Sequence, residues 1–195
     1  MLLDAESQDL LFRQARTAHT FTAEPVTDEQ VTALHDLVKW APTAFNQQPL
    51  RAVLLRSPGS RARLVPLMDE DNRAKTASAP LTAILAADTE FHELLPVLLP
   101  HYPQAKDEYF ADPAVREASA RLNATLQVAY LILGMRAVGL AAGPMTGFDA
   151  AKVDAEFFPG GTHRSLVVVN IGKPGPDAWR GRLPRLDYAQ VFTTL

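Results

Sequence analysis

The segment 113–138 carries a long helical pattern. Pro113 suits the first turn of a helix, where its missing N–H is not needed, and Gly139 suits the end. Apolar residues recur on one side of this segment: Val115, Leu122, Leu126, Ala129, Tyr130, Leu133 and Ala137. At 1.5 Å per residue the helix would be about 39 Å long, enough to cross a domain. Because residues 126–133 are apolar almost all round, we expect a central core helix that also faces a partner subunit.

Short apolar runs between predicted helices indicate a sheet. The predicted strands cover residues 52–55, 80–87 and 166–172, of which the last is the clearest. Helices are predicted over 7–14 with Ser7 as a cap, from Thr27 towards Pro42, over 57–68, and from Asp149 to Phe157 or Phe158. Thr27 and Gln30 fit a capping box. A few strands separated by many helices indicate the α+β class.

Four segments are expected to be irregular. Residues 69–78 are polar, and we expect them to be mobile. Residues 91–113 hold prolines spaced too closely for a long helix, and excursions of this length are often lids or interface pieces. Residues 143–148 form a turn-rich loop, and the chain after Gly172 is basic and loop-like.

Composition limits the chemistry. In the 195 residues, 47% are apolar and the formal net charge is -3, which favours neither disorder nor a general nucleic-acid surface. There is no cysteine, so disulfides, thiolate nucleophiles and cysteine-bound metals are excluded. The charged N-terminus and the lack of an 18-residue apolar run predict a soluble cytoplasmic protein without a membrane partner.

Common catalytic motifs are absent. No G-x-G-x-x-G follows a strand, and Gly134 to Gly139 matches a phosphate loop only in glycine spacing. There is also no G-x-S-x-G elbow and no H-E-x-x-H helix. The five histidines form no cluster in the sequence, so we predict no metal site and name no catalytic residue.

Three polar segments remain. They are residues 15–21, the loop from Trp40 to Pro49, and the basic run that contains Arg182 and Arg185. The loop has a hydroxyl and three carboxamides between prolines, which suits a flat polar ring. Taken singly, the segments have ordinary explanations, namely a solvated helix cap, a turn that binds its own backbone, and surface charges.

In combination the segments resemble the nitroreductase family of flavin oxidoreductases. That family opens with Arg-Arg-Ser-x-Arg/Lys-x-Phe, which Arg16, Thr17, His19 and Phe21 match, whereas Ala15 replaces the first Arg. Its second segment reads approximately Ala-Pro-Ser-x-x-Asn-x-Gln-Pro. The matching residues are Ala41, Pro42, Thr43, Asn46, Gln48 and Pro49.

The resemblance implies one nitroreductase-like domain over residues 1–195, with a central mixed or antiparallel sheet flanked by helices, in a homodimer. It implies FMN as cofactor, NADH or NADPH as reductant, and a small-molecule substrate. The implied FMN-binding residues are Arg16, Thr17, His19, Pro42, Thr43, Asn46, Gln48, Pro144, Met145, Thr146, Gly147, Arg182 and Arg185. Pro42, Thr43 and Asn46 would come from the opposite subunit.

Several stretches, including residues 143–149 and 183–186, resemble the branch that reduces malonic semialdehyde to 3-hydroxypropanoate. Two other functions stay open. One is a broad nitro- or quinone-reducing enzyme with the same cofactor site. The other is a flavin-binding sensor without turnover, which the Ala15 replacement motivates.

Overall fold

A four-stranded antiparallel sheet lies at the centre of the computed structural model, which describes residues 2–195. The strand order is β1-β2-β4-β3. The strands are β1 (Leu50–Leu55), β2 (Leu81–Asp88), β3 (Ala141–Met145) and β4 (His163–Gly172). Ile84 of β2 stands opposite Val53 of β1 and Val168 of β4.

Helices surround this sheet. They are α1 (Ala5–Gln8), α2 (Asp28–Val38), α3 (Pro58–Leu64), α4 (Glu70–Ser78), α5 (Leu95–Leu98), α6 (Ala105–Phe110), α7 (Pro113–Ala137), α8 (Ala150–Phe157) and α9 (Tyr188–Val191). Short 3-10 segments cover Ala44–Asn46, Val65–Leu67 and Phe91–Leu94, and a π-helical turn covers Asp9–Arg13. The predicted α+β class is confirmed.

Every residue of β2 is buried, because helices cover both faces of the sheet. Side chains alternate between the faces of a strand. Leu81, Ala83 and Leu85 pack in a core with residues of α2 and α7, whereas Ile84 and Ala86 pack in a second core with residues of α3 and α8. The continuous apolar run of this strand is therefore the pattern of a strand buried on two sides.

The helix α7 has almost the predicted bounds. Asp112 caps its start by accepting a hydrogen bond from the backbone nitrogen of Ala114, and Gly139 follows its end with a φ of 75°. The predicted apolar side, however, is not the side that packs on the sheet. Leu122, Leu126 and Tyr130 are 66, 46 and 44% exposed. The buried side carries smaller residues, including Ala120, Ala124 and Val128, which allow the helix to approach the sheet closely.

Several predicted boundaries are wrong. Asp4, not Ser7, caps the first helix, since its side chain accepts from the Ser7 nitrogen. The strand β1 begins at Leu50, earlier than predicted, and is only half-buried. Residues 70–78 form the regular helix α4, which Asp69 precedes and whose first turn holds Glu70 and Asp71, favourable at a helix N-terminus.

Residues 141–145 form the strand β3. The loop predicted over 143–148 is therefore correct only for residues 146–148. Pro144 is tolerated because β3 is an edge strand that pairs with β4 alone. The excursion over 91–113 folds into short helices, and Phe91, Leu95 and Phe110 pack there against Ala120 and Ala124. No helix within residues 2–195 combines the length and apolar character needed to cross a membrane.

Candidate functional site

The segment after Gln14 runs along the edge strand β3 at very short range. The Ala18 nitrogen donates a 2.9 Å hydrogen bond to the Ala142 oxygen. A Cβ atom at Gly143 would lie 2.6 Å from the carbonyl oxygen of Ala18, so only glycine permits this approach. As a result, Thr17 and His19 line one cleft of about 180 Å³ together with Pro144, Met145 and Thr146.

The helix α4 closes the other side of this cleft with Asn72 and Lys75, two residues outside the set predicted from the sequence. The Asn72 Nδ2 atom donates a 2.9 Å hydrogen bond to the carbonyl oxygen of Gly147, and the Asp69 nitrogen donates to the same oxygen at 3.0 Å. Lys75 forms no ion pair with any carboxylate of residues 2–195. The sequence signal for these two residues was their spacing. An amide and an ammonium side chain three residues apart lie on one face if the segment is helical.

A second, basic pocket of about 320 Å³ adjoins this cleft through Thr17 and His19. Its cations are Arg16, Arg180, Arg182 and Arg185, and Ala15 also lines it. Arg180 was not predicted, although it belongs to the same basic run. Thus the N-terminal segment and the C-terminal run form one positively charged surface, in which Arg16 and Arg180 are 164 residues apart in the sequence.

The hydrogen bonds of these arginines go to backbone carbonyl groups. An Arg16 Nη1 atom donates to the Arg180 oxygen at 3.3 Å, and Arg182 donates to the Arg13 oxygen. Arg185 Nη1 donates at 3.0 Å to the oxygens of Leu183 and Pro184. Among the described residues no carboxylate pairs with any of the four arginines, so their charge is available to an anion.

His19 lies between these positive groups. Burial lowers the pKa of its imidazole, and the nearby charges of Arg180 and Lys75 lower that pKa further. The ring is therefore biased towards its neutral form in the free protein. A bound anion would oppose this electrostatic effect and favour protonation.

The amide loop forms a separate pocket of about 390 Å³. Pro42, Thr43, Asn46 and Gln48 line it, with further side chains from His35, Lys39 and Trp40. Part of the loop binds itself, because the Gln48 nitrogen donates to Thr43 Oγ1 at 3.2 Å and Gln48 Nε2 donates to Asn46 Oδ1 at 2.9 Å. Asn46 Nδ2 also donates to the Leu98 oxygen at 2.8 Å.

The backbone of this loop is strained. Phe45, Asn46 and Gln48 have φ angles of 54°, 50° and 45°, which non-glycine residues seldom adopt. Each such residue costs about 1–3 kcal/mol and persists only where its surroundings hold it. Strain concentrated beside a polar pocket is typical of a binding site.

The predicted residues thus fall into two groups. One group surrounds the adjoining cleft and basic pocket and contains Arg16, Thr17, His19, Pro144, Met145, Thr146, Arg182 and Arg185, with Gly147 bound behind them to Asn72. The other group is the amide loop with Pro42, Thr43, Asn46 and Gln48. Within residues 2–195, the cleft and the basic pocket contain no residue of the amide loop, and the amide-loop pocket contains no residue of the first group.

Comparison with known proteins identifies the family. The model of the Nitroreductase family matches residues 12–173, which include the N-terminal segment, the amide loop and β3. The chain belongs to the nitroreductase family. A protein of Streptomyces griseus, provisionally named NADH dehydrogenase/NAD(P)H nitroreductase, is 65% identical over 195 residues, which are all of this chain and 99% of that protein. The predicted family and its class, an NAD(P)H-dependent oxidoreductase, are confirmed.

Solved structures have the same fold. The Bacillus subtilis nitroreductase-like protein ydfN superposes with a TM-score of 0.87 at 20% identity, over 98% of this chain and 100% of that chain. A protein of Exiguobacterium sibiricum, solved in complex with FMN, gives 0.83 at 17% identity, over 100% of this chain and 99% of that chain. The predicted nitroreductase-like fold is confirmed. The family's cofactors, FMN with NAD(P)H, agree with those expected from the sequence.

Proposed function

We propose that this chain binds FMN in the cleft and basic pocket and transfers hydride from NAD(P)H to a small acceptor. The observation that carries the proposal is the group of four arginines without carboxylate partners, which adjoins a cleft that Gly143 keeps narrow. FMN combines a phosphate of about two negative charges with a flat polar ring. The donor set fits both parts of that molecule.

The phosphate of FMN would lie in the basic pocket and its ring in the cleft. Arg16, Arg182 and Arg185 offer forked, permanent cations to the phosphate, and Thr17 offers a hydroxyl between the two pockets. The backbone from Pro144 to Gly147 offers polar groups to the ring edge. When bound, FMN supplies two-electron hydride chemistry.

Lys75 and His19 would set the electrostatics of this site. Lys75 holds a positive charge beside the Pro144–Thr146 backbone, which favours negative charge on a bound ring. His19 borders both pockets, and a bound anion would raise its lowered pKa. Neither residue needs to act as an acid or base, because the acceptor's proton can come from water.

A homodimer would complete the site. The amide-loop pocket is separate from the cleft and the basic pocket, so Pro42, Thr43, Asn46 and Gln48 would serve the FMN of a second copy. The exposed apolar side of α7, with Leu122, Leu126 and Tyr130, supplies a surface for that contact. We propose a cytoplasmic homodimer of one nitroreductase-like domain, residues 1–195.

For the acceptor we propose malonic semialdehyde, which would be reduced to 3-hydroxypropanoate. The hydride adds to the aldehyde carbon, a proton from water adds to the oxygen, and NAD(P)H becomes NAD(P)⁺. Support comes from the resemblance of residues 143–149 and 183–186 to the branch with that activity. A broad nitro- or quinone-reducing enzyme with the same cofactor site is the second candidate, since the Streptomyces relative is named a nitroreductase.

The first test is the visible spectrum of the purified protein. We expect a yellow protein that NADPH or NADH bleaches without oxygen. A colourless protein that takes up no added FMN would refute flavin binding, and a yellow protein that neither reductant bleaches would identify a sensor. Turnover of the semialdehyde is then compared with that of a nitroaromatic and a quinone. Faster turnover of the latter two would favour the broad reductase.

A further inference from the structure

The strained amide loop is held by a row of polar side chains on α7. Ser119, Asn123 and Gln127 are spaced four residues apart and therefore lie along one side of this helix. All three contact the segment 44–50, which is more than 70 residues away in the sequence. Asn123 is buried, so its hydrogen bonds are largely shielded from water.

Each member of the row satisfies a specific group. Asn123 Oδ1 accepts from the Ala44 nitrogen at 2.7 Å, and Gln127 Oε1 accepts from the Leu50 nitrogen at 3.0 Å. Ser119 exchanges two hydrogen bonds with the fully buried amide of Gln47, at 2.9 and 3.1 Å. The row thus binds the loop before, within and after its strained part.

Asn123 has the central position in this row. Its Oδ1 atom receives the Ala44 N–H, and its Nδ2 atom donates to the Ser119 oxygen at 2.9 Å. The same amide therefore fixes the start of the loop and is itself fixed by the preceding helical turn. Ala44 directly follows Thr43 and precedes the left-handed residues Phe45 and Asn46.

Two other contacts restrain the loop at other points. Arg51 Nη1 donates to the Gln48 oxygen at 2.9 Å and its Nη2 atom pairs with Asp88 at 2.8 Å. The ring of Phe45 packs edge-on against Phe110, with centroids 5.4 Å apart. Neither contact satisfies the Ala44 nitrogen, which depends on Asn123 for its hydrogen bond.

We propose that Asn123 is a positioning residue: it holds Thr43 and Asn46 in the conformation that contacts the cofactor, although it lies beneath the loop. The identity of that ligand rests on the proposed function. The positioning itself is a property of the chain without ligand. A loop that is already ordered in the free protein binds its ligand more tightly, because no further conformational entropy of the loop is lost on binding.

The test compares Asn123→Leu with Ser165→Ala. Ser165 is also buried and bonded to a polar side chain, Asp154, but it lies on β4 away from the loop. Hydrogen exchange is measured on the ligand-free proteins over residues 40–50. In Asn123→Leu we expect the exchange rate to rise at least tenfold more in this segment than in β2. In Ser165→Ala we expect no such difference between the two segments. Equal protection of the loop in both variants would overturn the proposal.

Ligand binding gives the second measurement. With FMN as the probe, we expect Asn123→Leu to raise the dissociation constant about tenfold or more, while Ser165→Ala leaves it near the wild-type value. If wild-type protein takes up no FMN, the proposed function fails, whereas the exchange experiment still decides the role of Asn123. Should Asn123→Leu fail to fold, Asn123→Ala removes the same two hydrogen bonds without introducing a branched side chain. Unchanged exchange at residues 44–48 in that variant would count against the proposal.

Discussion

The side chain of Asn72 donates a 2.9 Å hydrogen bond to the carbonyl oxygen of Gly147 and so attaches α4 to the loop after β3. A Cβ atom at Gly147 would lie 2.6 Å from Asn72 Nδ2 and from Asp69 Oδ2. This loop therefore depends on the absence of a side chain at residue 147.

Replacement of Gly147 by alanine should separate α4 from this loop. We expect the loss of the Asn72 bond, worth about 0.5–1.5 kcal/mol, together with weaker FMN binding. Chemical denaturation and FMN titration measure the two effects. Gly160→Ala is the matched control, since a Cβ atom there meets nothing within 4 Å. Equal stability and affinity of the two variants would show that Gly147 has no special role.

Arg16→Ala should weaken FMN binding. Arg16 is exposed, so we take the lower end for a charge-assisted bond, about 1.5 kcal/mol or roughly tenfold in the dissociation constant. The salt dependence of binding should also decrease. Arg63→Ala removes an arginine that pairs with Glu156 outside both pockets, and it should leave the affinity unchanged. If both variants bind FMN as the wild type does, Arg16 is a surface charge.

Ala15→Arg should tighten FMN binding. Ala15 lines the basic pocket at the position where the family motif has its first arginine, and the substitution adds a forked cation there. The measurement is FMN dissociation followed by fluorescence at two salt concentrations. Affinity equal to that of the wild type would mean that Arg180, Arg182 and Arg185 already provide the missing charge.

His19 should make stability and FMN binding depend on pH. Its pKa is lowered from 6.5 in the folded protein, so the unfolded state binds a proton first as the pH falls. The free energy of unfolding should therefore decrease as the pH falls below 6.5, and the decrease is complete below the folded pKa. His19→Gln should flatten this slope, whereas His101→Gln, in an exposed loop, should not.

In the complex with FMN, protonation of His19 should be favoured. FMN phosphate near His19 favours the imidazolium, so binding should be accompanied by proton uptake at pH values between the lowered pKa of His19 in the free protein and its higher pKa in the complex. Titration calorimetry in two buffers of different ionisation enthalpy measures this uptake. Equal proton uptake by wild type and His19→Gln would place the phosphate away from this ring.

Leu122→Glu should disrupt the proposed homodimer. A leucine side chain that a partner covers contributes about 1.5–3 kcal/mol, and a buried unpaired carboxylate adds a further cost. Analytical ultracentrifugation should show monomers, with loss of FMN because the amide loop of the second copy is removed. Ala155→Glu, on the exposed side of α8, is the control. A dimer that persists in Leu122→Glu would exclude this side of α7 as the interface.

The sequence predicts those elements whose signals are local. Thr27 and Gln30 form the expected capping box, and Pro113 begins the long helix as predicted. The strand β2 follows from its continuous apolar run. Each of these signals lies within a few residues of the structure it specifies, so no tertiary contact is needed to interpret it.

Other elements depend on distant residues. The helix α4 has little apolar content, and it is stabilised by Thr76, buried beside Met145, and by the bond from Asn72 to Gly147. The strand β1 starts at Leu50, where Gln127 of α7 satisfies the first nitrogen. Periodicity along the chain contains no trace of such contacts, which is why the polar row of α7 could not be predicted.

The polar row of α7 also limits how this protein could be engineered. Ser119, Asn123 and Gln127 bind backbone groups and Gln47, not the side chains of Thr43 or Asn46. Variation at residues 43 and 46 would therefore change the contacts to the cofactor and the loop's own hydrogen bonds, while the supporting helix stays constant. Libraries that also randomise residues 119, 123 and 127 should yield mostly inactive clones, because they change the scaffold along with the contact surface.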